Sequence, residues 1–330
     1  MSDATIAVLI EQRDGAVARP SLEALTLART LGTPVAVWLG EDPSADAVAQ
    51  LAEFGAAEVR VAGIGAESRY PAKAAAGIAA ATTDAKLLLF VSTFVNKEIV
   101  TRLAAKSGAG VVVDAAGVEF VDGTGEDSAV EAFQTVFAAT WNVRTRIPGT
   151  GVVNGPGAIV GLRPNTTAAS AAEAPGEAIL VHLVVELPAT RETITAVEPV
   201  VQAEGVPLAE APVVVSGGRG TGGDYALVTE FAELLGGAVG ASRDATDEGW
   251  IGHEHMVGQT GTTVTPALYV ACGISGAVHH RGGMQASGTV VAINMDPDAP
   301  IFEICDFGVV GSLFDVLPQA IAAVKAHRGE

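Results

Sequence analysis

Seven side chains between Gly240 and Asn294 are of types that act on a bound ligand: Ser242, Arg243, Gln259, Thr260, Ser275, His279 and His280. They occupy glycine-rich corners beside two apolar, strand-like runs, Leu268–Cys272 and Thr289–Ile293. Glycine lets a backbone approach a ligand closely and turn its N–H groups toward it. Strands that end in such corners form the crevice where open α/β sheets bind nucleotides. The chemistry this set offers is holding and polarising a ligand. Arg243 can fix a positive charge beside a bound anion or reduced ring, or pair with Asp244, Asp247 or Glu248 close by in sequence. The GQTG run, Gly258–Gly261, offers an amide and a hydroxyl at a turn, and SGAVHH, Ser275–His280, resembles a strand–loop–helix junction suited to pyrophosphate.

Three further features bear on the ligand. SGGRG, Ser216–Gly220, follows one strand and precedes a helix, where dinucleotide phosphates rest, and Arg219 adds a cation. Its glycines fall at 217, 218, 220, 222 and 223, which does not complete a GxGxxG motif. Asn294 closes the strand VVAIN and can read an adenine or ribose edge, or cap the turn at Asp296–Pro297. Four of the six histidines lie between 253 and 280, yet neither HEH nor HH gives a zinc spacing and no CxxC exists, so no metal is expected. GISGA is not a nucleophile elbow, so Ser275 is not read as a catalytic serine.

The elements that must position these groups follow from periodicity. Strands are expected at Thr5–Ile10, Pro34–Leu39, Glu58–Val61, Lys86–Val91 and Gly110–Val113. Helices are expected from Ser21 to Leu31, from Ser44 to Gly55, over Tyr70–Thr83 and over Asn96–Ser107. This alternation predicts an α/β domain with a mainly parallel sheet. Strand-like runs at Val118–Val121, Ala129–Ala139, Arg144–Ile147, Gly157–Leu162 and Ala178–Leu187 predict an antiparallel extension. The first strand lacks a phosphate loop, so no nucleotide is expected in this half. Glu198–Pro212, with three prolines, reads as a linker, which gives domains of 1–197 and 213–330 around a 198–212 connection. In the second domain a strand at Val213–Ser216 leads to a helix capped by Asp224, and a last helix begins near Ser312, with Pro318 in its early turns.

Composition bounds the class. Hydrophobic residues make 49% of the 330 and charged residues 17%, which excludes a disordered chain. A net charge of −19 argues against nucleic acid and anionic membranes as partners. No apolar run nears the ~20 residues of a membrane span. Cys272 and Cys305 fall in apolar runs and are expected as core residues. The opening MSDATIAVLI carries no signal-peptide pattern, so a reducing cytoplasm is expected.

VGQTG (Val257–Gly261), LYVACGISGAVHH (Leu268–His280) and VVAINMDPDAPIFEICDFGVVGSLF (Val290–Phe314) together resemble the C-terminal domain of the electron-transfer flavoprotein α subunit, colinearly over about Val213–Pro318. The resemblance implies a two-domain α/β chain whose C-terminal, Rossmann-like domain binds FAD. It implies FAD contacts at Arg219, Ser242, Arg243, Val257, Gly258, Gln259, Thr260, Gly261, Ser275, Gly276, Ala277, Val278, His279, His280, Asn294, Ser312 and Leu313. It places Arg243 at the flavin ring, Thr260 near ring N5 and His280 at the pyrimidine carbonyl. Two positions depart from the family: His279 stands where Gln is usual, and Ser312 where an acid is common. The resemblance further implies a β-subunit partner, electron donors such as acyl-CoA dehydrogenases, a membrane quinone reductase as acceptor, and a carrier without substrate chemistry of its own. A cation ~4 Å from a ring made anionic by one electron stabilises it by about 4 kcal/mol at an effective ε of 20, before desolvation. A stand-alone flavin or nicotinamide oxidoreductase and a redox-inactive nucleotide-binding module are the alternatives.

Overall fold

The computed structural model describes residues 4–13, 15–121, 128–137, 140–148, 155–197 and 206–329. The expected strand Thr5–Ile10 is β1 (Thr5–Leu9). It is followed by a two-stranded ribbon, β2 (Gln12–Arg13) and β3 (Ala16–Val17), then α1 (Arg19–Leu31) and β4 (Thr33–Leu39). Next come α2 (Ala45–Glu53), β5 (Glu58–Ala62), α3 (Pro71–Ala81), β6 (Leu87–Val91) and α4 (Phe94–Ser107). The chain then turns to strands: β7 (Gly110–Val121), β8 (Ala129–Val136), β9 (Trp141–Ile147), β10 (Ala158–Leu162) and β11 (Ile179–Leu183). These form one nine-stranded sheet in the order β11-β5-β4-β1-β6-β10-β7-β8-β9. All the registered pairs are parallel except β7 with β8, so the antiparallel extension lies at one edge. β10 and β11 leave that edge and join the parallel part beside β6 and β5.

The central strands explain their own burial. LLLFV in β6 is apolar at every position because helices cover both faces of a parallel sheet. Caps behave as their chemistry requires. The Ser44 side chain accepts the Ala47 N–H at the start of α2, and Thr93 accepts that of Asn96 at the start of α4. Ser21, in contrast, does not cap α1. Pro20, with its φ already set for a first turn, lets the helix begin at Arg19, and the Ser21 hydroxyl accepts the Glu11 N–H instead. Gly110–Val113 and Val118–Val121 merge into β7, which absorbs Asp114 in the left-handed region (φ 56°) and a register shift between Ala115 and Gly117.

The second sheet is built from β12 (Val213–Gly217), β13 (Ala238–Ala241), β14 (Leu268–Cys272), β15 (Thr289–Asn294) and β16 (Phe307–Val310). All are parallel, in the order β13-β12-β14-β15-β16. Four helices accompany it: α5 (Ala226–Leu234), α6 (Arg243–Asp247), α7 (Val278–Met284) and α8 (Leu313–Arg328). Asp224 is not the cap of α5: Tyr225 holds that position, and the Asp224 carboxylate accepts the Ala226 N–H from one residue before it. α8 starts at Leu313 and continues through Pro318 without a break. Small aliphatic side chains fill two clusters, one around Val214, Tyr269 and Ile301 and the other around Val215, Val228 and Leu317. Cys272 is buried and Cys305 half-buried, and both are free thiols. By contacts the chain divides into two compact units, Met1–Gln134 with Asn142–Glu198, and Thr135–Trp141 with Pro199–Glu330. Of the linker expected at 198–212, residues 198–205 lie outside the described residues, while Leu208 and Ala211 pack into the second unit's core.

Candidate functional site

The strand order fixes where a ligand can sit. From β12 the chain moves outward to β13, then returns across β12 to β14 and proceeds to β15 and β16. Connections therefore leave β12 and β14 in opposite directions. At such a switch point a crevice opens beyond the carboxyl ends of the two strands. The loops that follow β12 and β14 meet there. The Gly220 N–H donates to the Gly273 carbonyl at 3.0 Å, and the Gly218 N–H donates to the Cys272 carbonyl at 2.9 Å. A Cβ on Gly220 would stand 2.6 Å from the Gly273 Cα, so these two glycines are what allow the loops to cross.

A cleft of about 680 Å³ lies at this point, within the range of small-molecule and cofactor sites. Of the residues expected at the ligand, Arg219, Ser242, Arg243, Ser275, Ala277, His279, His280 and Asn294 line it. Each is held by its element. Ser242 follows β13 and caps α6, its hydroxyl accepting the Ala245 N–H. Arg219 pairs with Asp244 at 3.0 Å and Arg243 with Asp247 at 3.2 Å, all four side chains at least half exposed. Both cations thus carry a local acid. The Asn294 amide donates to the Ile274 carbonyl at 2.9 Å, and its oxygen accepts the Asp296 N–H at 3.0 Å, tying the ends of β14 and β15 together.

His280 has the environment most unlike water. It is buried (6% exposed), and its Nε2 lies 2.9 Å from the Tyr269 hydroxyl. Its Nδ1 is buried without a hydrogen-bond partner. Desolvation pushes its pKa down to about 4, with the Val257 carbonyl pulling weakly the other way. The imidazole is therefore neutral at physiological pH. Neighbouring His279 is exposed; its Nδ1 lies 3.1 Å from the Gln259 Oε1, and its carbonyl accepts the Gln259 N–H at 2.8 Å.

The other expected contacts stand around the cleft and not on its wall. Val257 is a core residue, and Gly258 packs on Gly283. Gln259 and Thr260 are exposed, and Gly261 turns back to Met256. Gly276 (φ 84°) lies against the Ile301 backbone, and Val278 begins α7 with an exposed side chain. Ser312 caps α8 by accepting the Phe314 N–H, and Leu313 is buried in the core. Sequence reasoning put Gly220 in the SGGRG phosphate turn but did not place Gly273, Ile274, Asp296, Ala299 and Pro300 on the wall. It also did not read Tyr269 as polar, because a tyrosine inside LYVAC looks like any core aromatic. The glycine pair carried a signal in its position at two strand ends.

Nucleotide chemistry fits this cleft better than the larger one. A cleft of about 1100 Å³ in the first unit is lined by Glu41, Asp42, Asp46 and Glu53 with Arg69, acidic walls that disfavour a phosphate. In the first unit's own switch point, between β1 and β6, the Asn96 amide bridges the Glu11 carboxylate and the Val91 carbonyl, 3.0 Å from each. In the second unit two cations, each paired with an aspartate on the same wall, meet a glycine crossing and a buried imidazole. Those are the groups an anionic dinucleotide with a polar ring needs.

An open parallel sheet with such a cleft at its switch point defines a dinucleotide-binding α/β protein. Comparison with known proteins narrows this class. The electron transfer flavoprotein domain model matches residues 6–175, and the electron transfer flavoprotein FAD-binding domain model matches 207–285. A Mycobacterium leprae electron transfer flavoprotein subunit alpha is 42% identical over 329 residues, covering 98% of both chains. The subunit alpha of Bacillus subtilis is 34% identical over 327 residues, 95% of each. That of Megasphaera elsdenii is 52% identical over 130 residues, 38% of each. The chain belongs to the electron transfer flavoprotein alpha subunit family, and its second unit is the FAD-binding domain.

Proposed function

We propose that this chain is the α half of a heterodimeric carrier that moves electrons singly from flavin dehydrogenases, acyl-CoA dehydrogenases among them, to a membrane quinone reductase. FAD supplies the redox chemistry when bound, since its ring accepts one electron at a time. The protein's part is to bind, orient and set the local charge. The glycine crossing at Gly220 and Gly273 gives the backbone close approach. Arg219 and Arg243 supply positive charge along the cleft, and Ser242 fixes the start of α6 beneath Arg243. His280 gives the wall a buried, neutral imidazole. Gln259, Thr260 and Gly261 stand beside His279 at the rim, where a partner chain or the cofactor's outer edge meets them. The observation that carries this reading is the switch-point cleft itself, where Arg219, Arg243 and His280 meet the Gly220–Gly273 loop crossing.

The test is purification together with whatever companion subunit is co-expressed from a neighbouring coding sequence, followed by stepwise reduction under an absorbance spectrometer. A carrier is yellow, takes up electrons in two resolved steps, and exchanges them with an acyl-CoA dehydrogenase. NADH oxidation by the chain alone would point to a stand-alone oxidoreductase. A bound nucleotide inert to dithionite would point to a redox-inactive module.

A further inference from the structure

We propose that Asp244 is a specificity-determining residue of the cleft, one that keeps terminal phosphates from outcompeting the diphosphate bridge of a dinucleotide. This deepens the function proposed above and rests on that reading for Arg219 meeting the ligand's phosphates.

The wall is less basic than its two arginines suggest. Arg219 and Arg243 share it with Asp244, Asp247 and Asp296, so, histidines aside, acids outnumber cations three to two. The three carboxylates are not equivalent. Asp296 spends an oxygen on its own turn, where it accepts the Asp298 N–H at 3.0 Å. Asp247 stays within α6, holding Arg243 at 3.2 Å. Asp244 reaches from α6, which follows β13, to Arg219 in the turn that follows β12, and its Oδ2 lies 3.0 Å from the Arg219 Nε. Its charge therefore stands beside the turn where phosphates rest.

An aspartate so placed either orients the arginine or offsets its charge. A carboxylate that only orients an arginine stands behind it, away from the ligand; Asp244 lines the cleft itself. Its side chain is 57% exposed and that of Arg219 68%, so packing pins neither of them. A guanidinium has five N–H donors, and Arg219 can take a ligand oxygen without releasing Asp244. The carboxylate then remains beside the bound phosphate. Each phosphate of a diphosphate bridge is esterified on both sides and carries one charge. A terminal phosphate carries about −1.5 to −2 at pH 7. Arg219 alone would reward that second charge with extra attraction. With Asp244 at its side the pair is neutral, and the reward is cancelled. A mononucleotide then gains nothing from its higher charge, while a dinucleotide keeps every contact it makes elsewhere along the cleft.

The experiment compares FAD, ADP-ribose and ADP on the full chain with its companion subunit, after FAD has been removed and titrated back. ADP-ribose and ADP carry the same two phosphorus atoms, but only in ADP is one of them terminal. Asp244→Asn keeps an oxygen for the Arg219 Nε and drops the charge. In that variant FAD and ADP-ribose should bind about 1.5- to 5-fold more tightly at low salt, the worth of one exposed charge. ADP should gain about the same factor a second time, and the gains should fade at high salt. Asp244→Glu, which keeps the charge, should bind all three ligands as the wild type does. Asp244→Ser gives the same reading as the asparagine variant should that one lose stability. Unchanged or weaker FAD binding without the carboxylate overturns the inference, because Asp244 would then be a support for Arg219. An ADP gain no larger than that of ADP-ribose overturns it too, as does ADP that binds neither the wild type nor the variant. A complex that shows this charge dependence yet passes no electrons to or from an acyl-CoA dehydrogenase would defeat the proposed function alone.

Discussion

Replacing Arg243 with alanine separates two estimates of what that cation does. A bare charge ~4 Å from an anionic ring, at an effective ε of 20, is worth about 4 kcal/mol. For a one-electron couple, where ~59 mV is a factor of ten, this corresponds to about 170 mV. The structure argues for far less. The Arg243 side chain is 64% exposed, and its Nε is held 3.2 Å from Asp247. An exposed, already paired cation is worth about 0.2–1 kcal/mol, or roughly 10–40 mV. Arg243→Ala should therefore lower the first-electron potential of bound FAD by that amount without changing the melting temperature. Asp247→Asn, which releases the arginine from its acid, should raise the potential by a similar amount. Salt should shrink both shifts, since exposed charges are screened. The assay is a spectroelectrochemical titration of the complex at low and high ionic strength. A fall beyond ~100 mV would refute the discount, because it would mean the arginine leaves Asp247 and becomes desolvated against the ring. No change in either variant would remove Arg243 from the site.

Other perturbations report on separate links. The His280 pKa lies near 4 in the folded chain, against 6.5 for a free imidazole, so the unfolded state binds the extra proton first. Stability should be intact above pH 6.5 and fall as pH drops toward 4, by at most ~1.4 kcal/mol per pH unit from this group. Thermal melts across that window, with and without His280→Gln, isolate its share. Gly276→Ala places a Cβ against the Ile301 backbone at a φ of 84°; a loss of about 1–3 kcal/mol from strain alone is expected, with lower FAD content per chain by absorbance. Ser44→Ala removes the α2 cap and should cost about 1 kcal/mol in denaturant titration while leaving the FAD spectrum unchanged.

Much of this architecture is legible from local chemistry. Apolar runs of five residues, glycines after helices, and the cap Ser44 announce elements because each works within one turn of chain. Ser21 misleads for a physical reason: a serine near a helix start is a good cap only if no proline beside it starts the helix sooner. The split of β7 misleads similarly, since Asp114 looks like a turn residue but is accommodated in a bulge that the neighbouring strand β10 shares. The cleft was only half legible. Its cations and glycines can be seen because those types rarely have another use at a strand end. Its architecture cannot, because which strand ends adjoin depends on the order β13-β12-β14-β15, a tertiary fact that leaves no local mark.

Tyr269 shows where that limit lies. Its place in an apolar run assigns it to the core, and to the core it belongs. Its hydroxyl matters only because α7 folds back over β14 and drops His280 onto it, across a separation no motif encodes. Arg243 is the reverse case. Its type and position suggest a strong electrostatic role, and its surroundings, exposed and already paired, weaken it. The sequence therefore ranks the arginine above the tyrosine, whereas burial reverses the order: an interaction in a dry wall keeps nearly its full strength, while one at a wet rim keeps a fraction. If that reasoning holds, Tyr269→Phe should change FAD retention at least as much as Arg243→Ala, and the dissociation constants of the two variants, measured side by side, decide it.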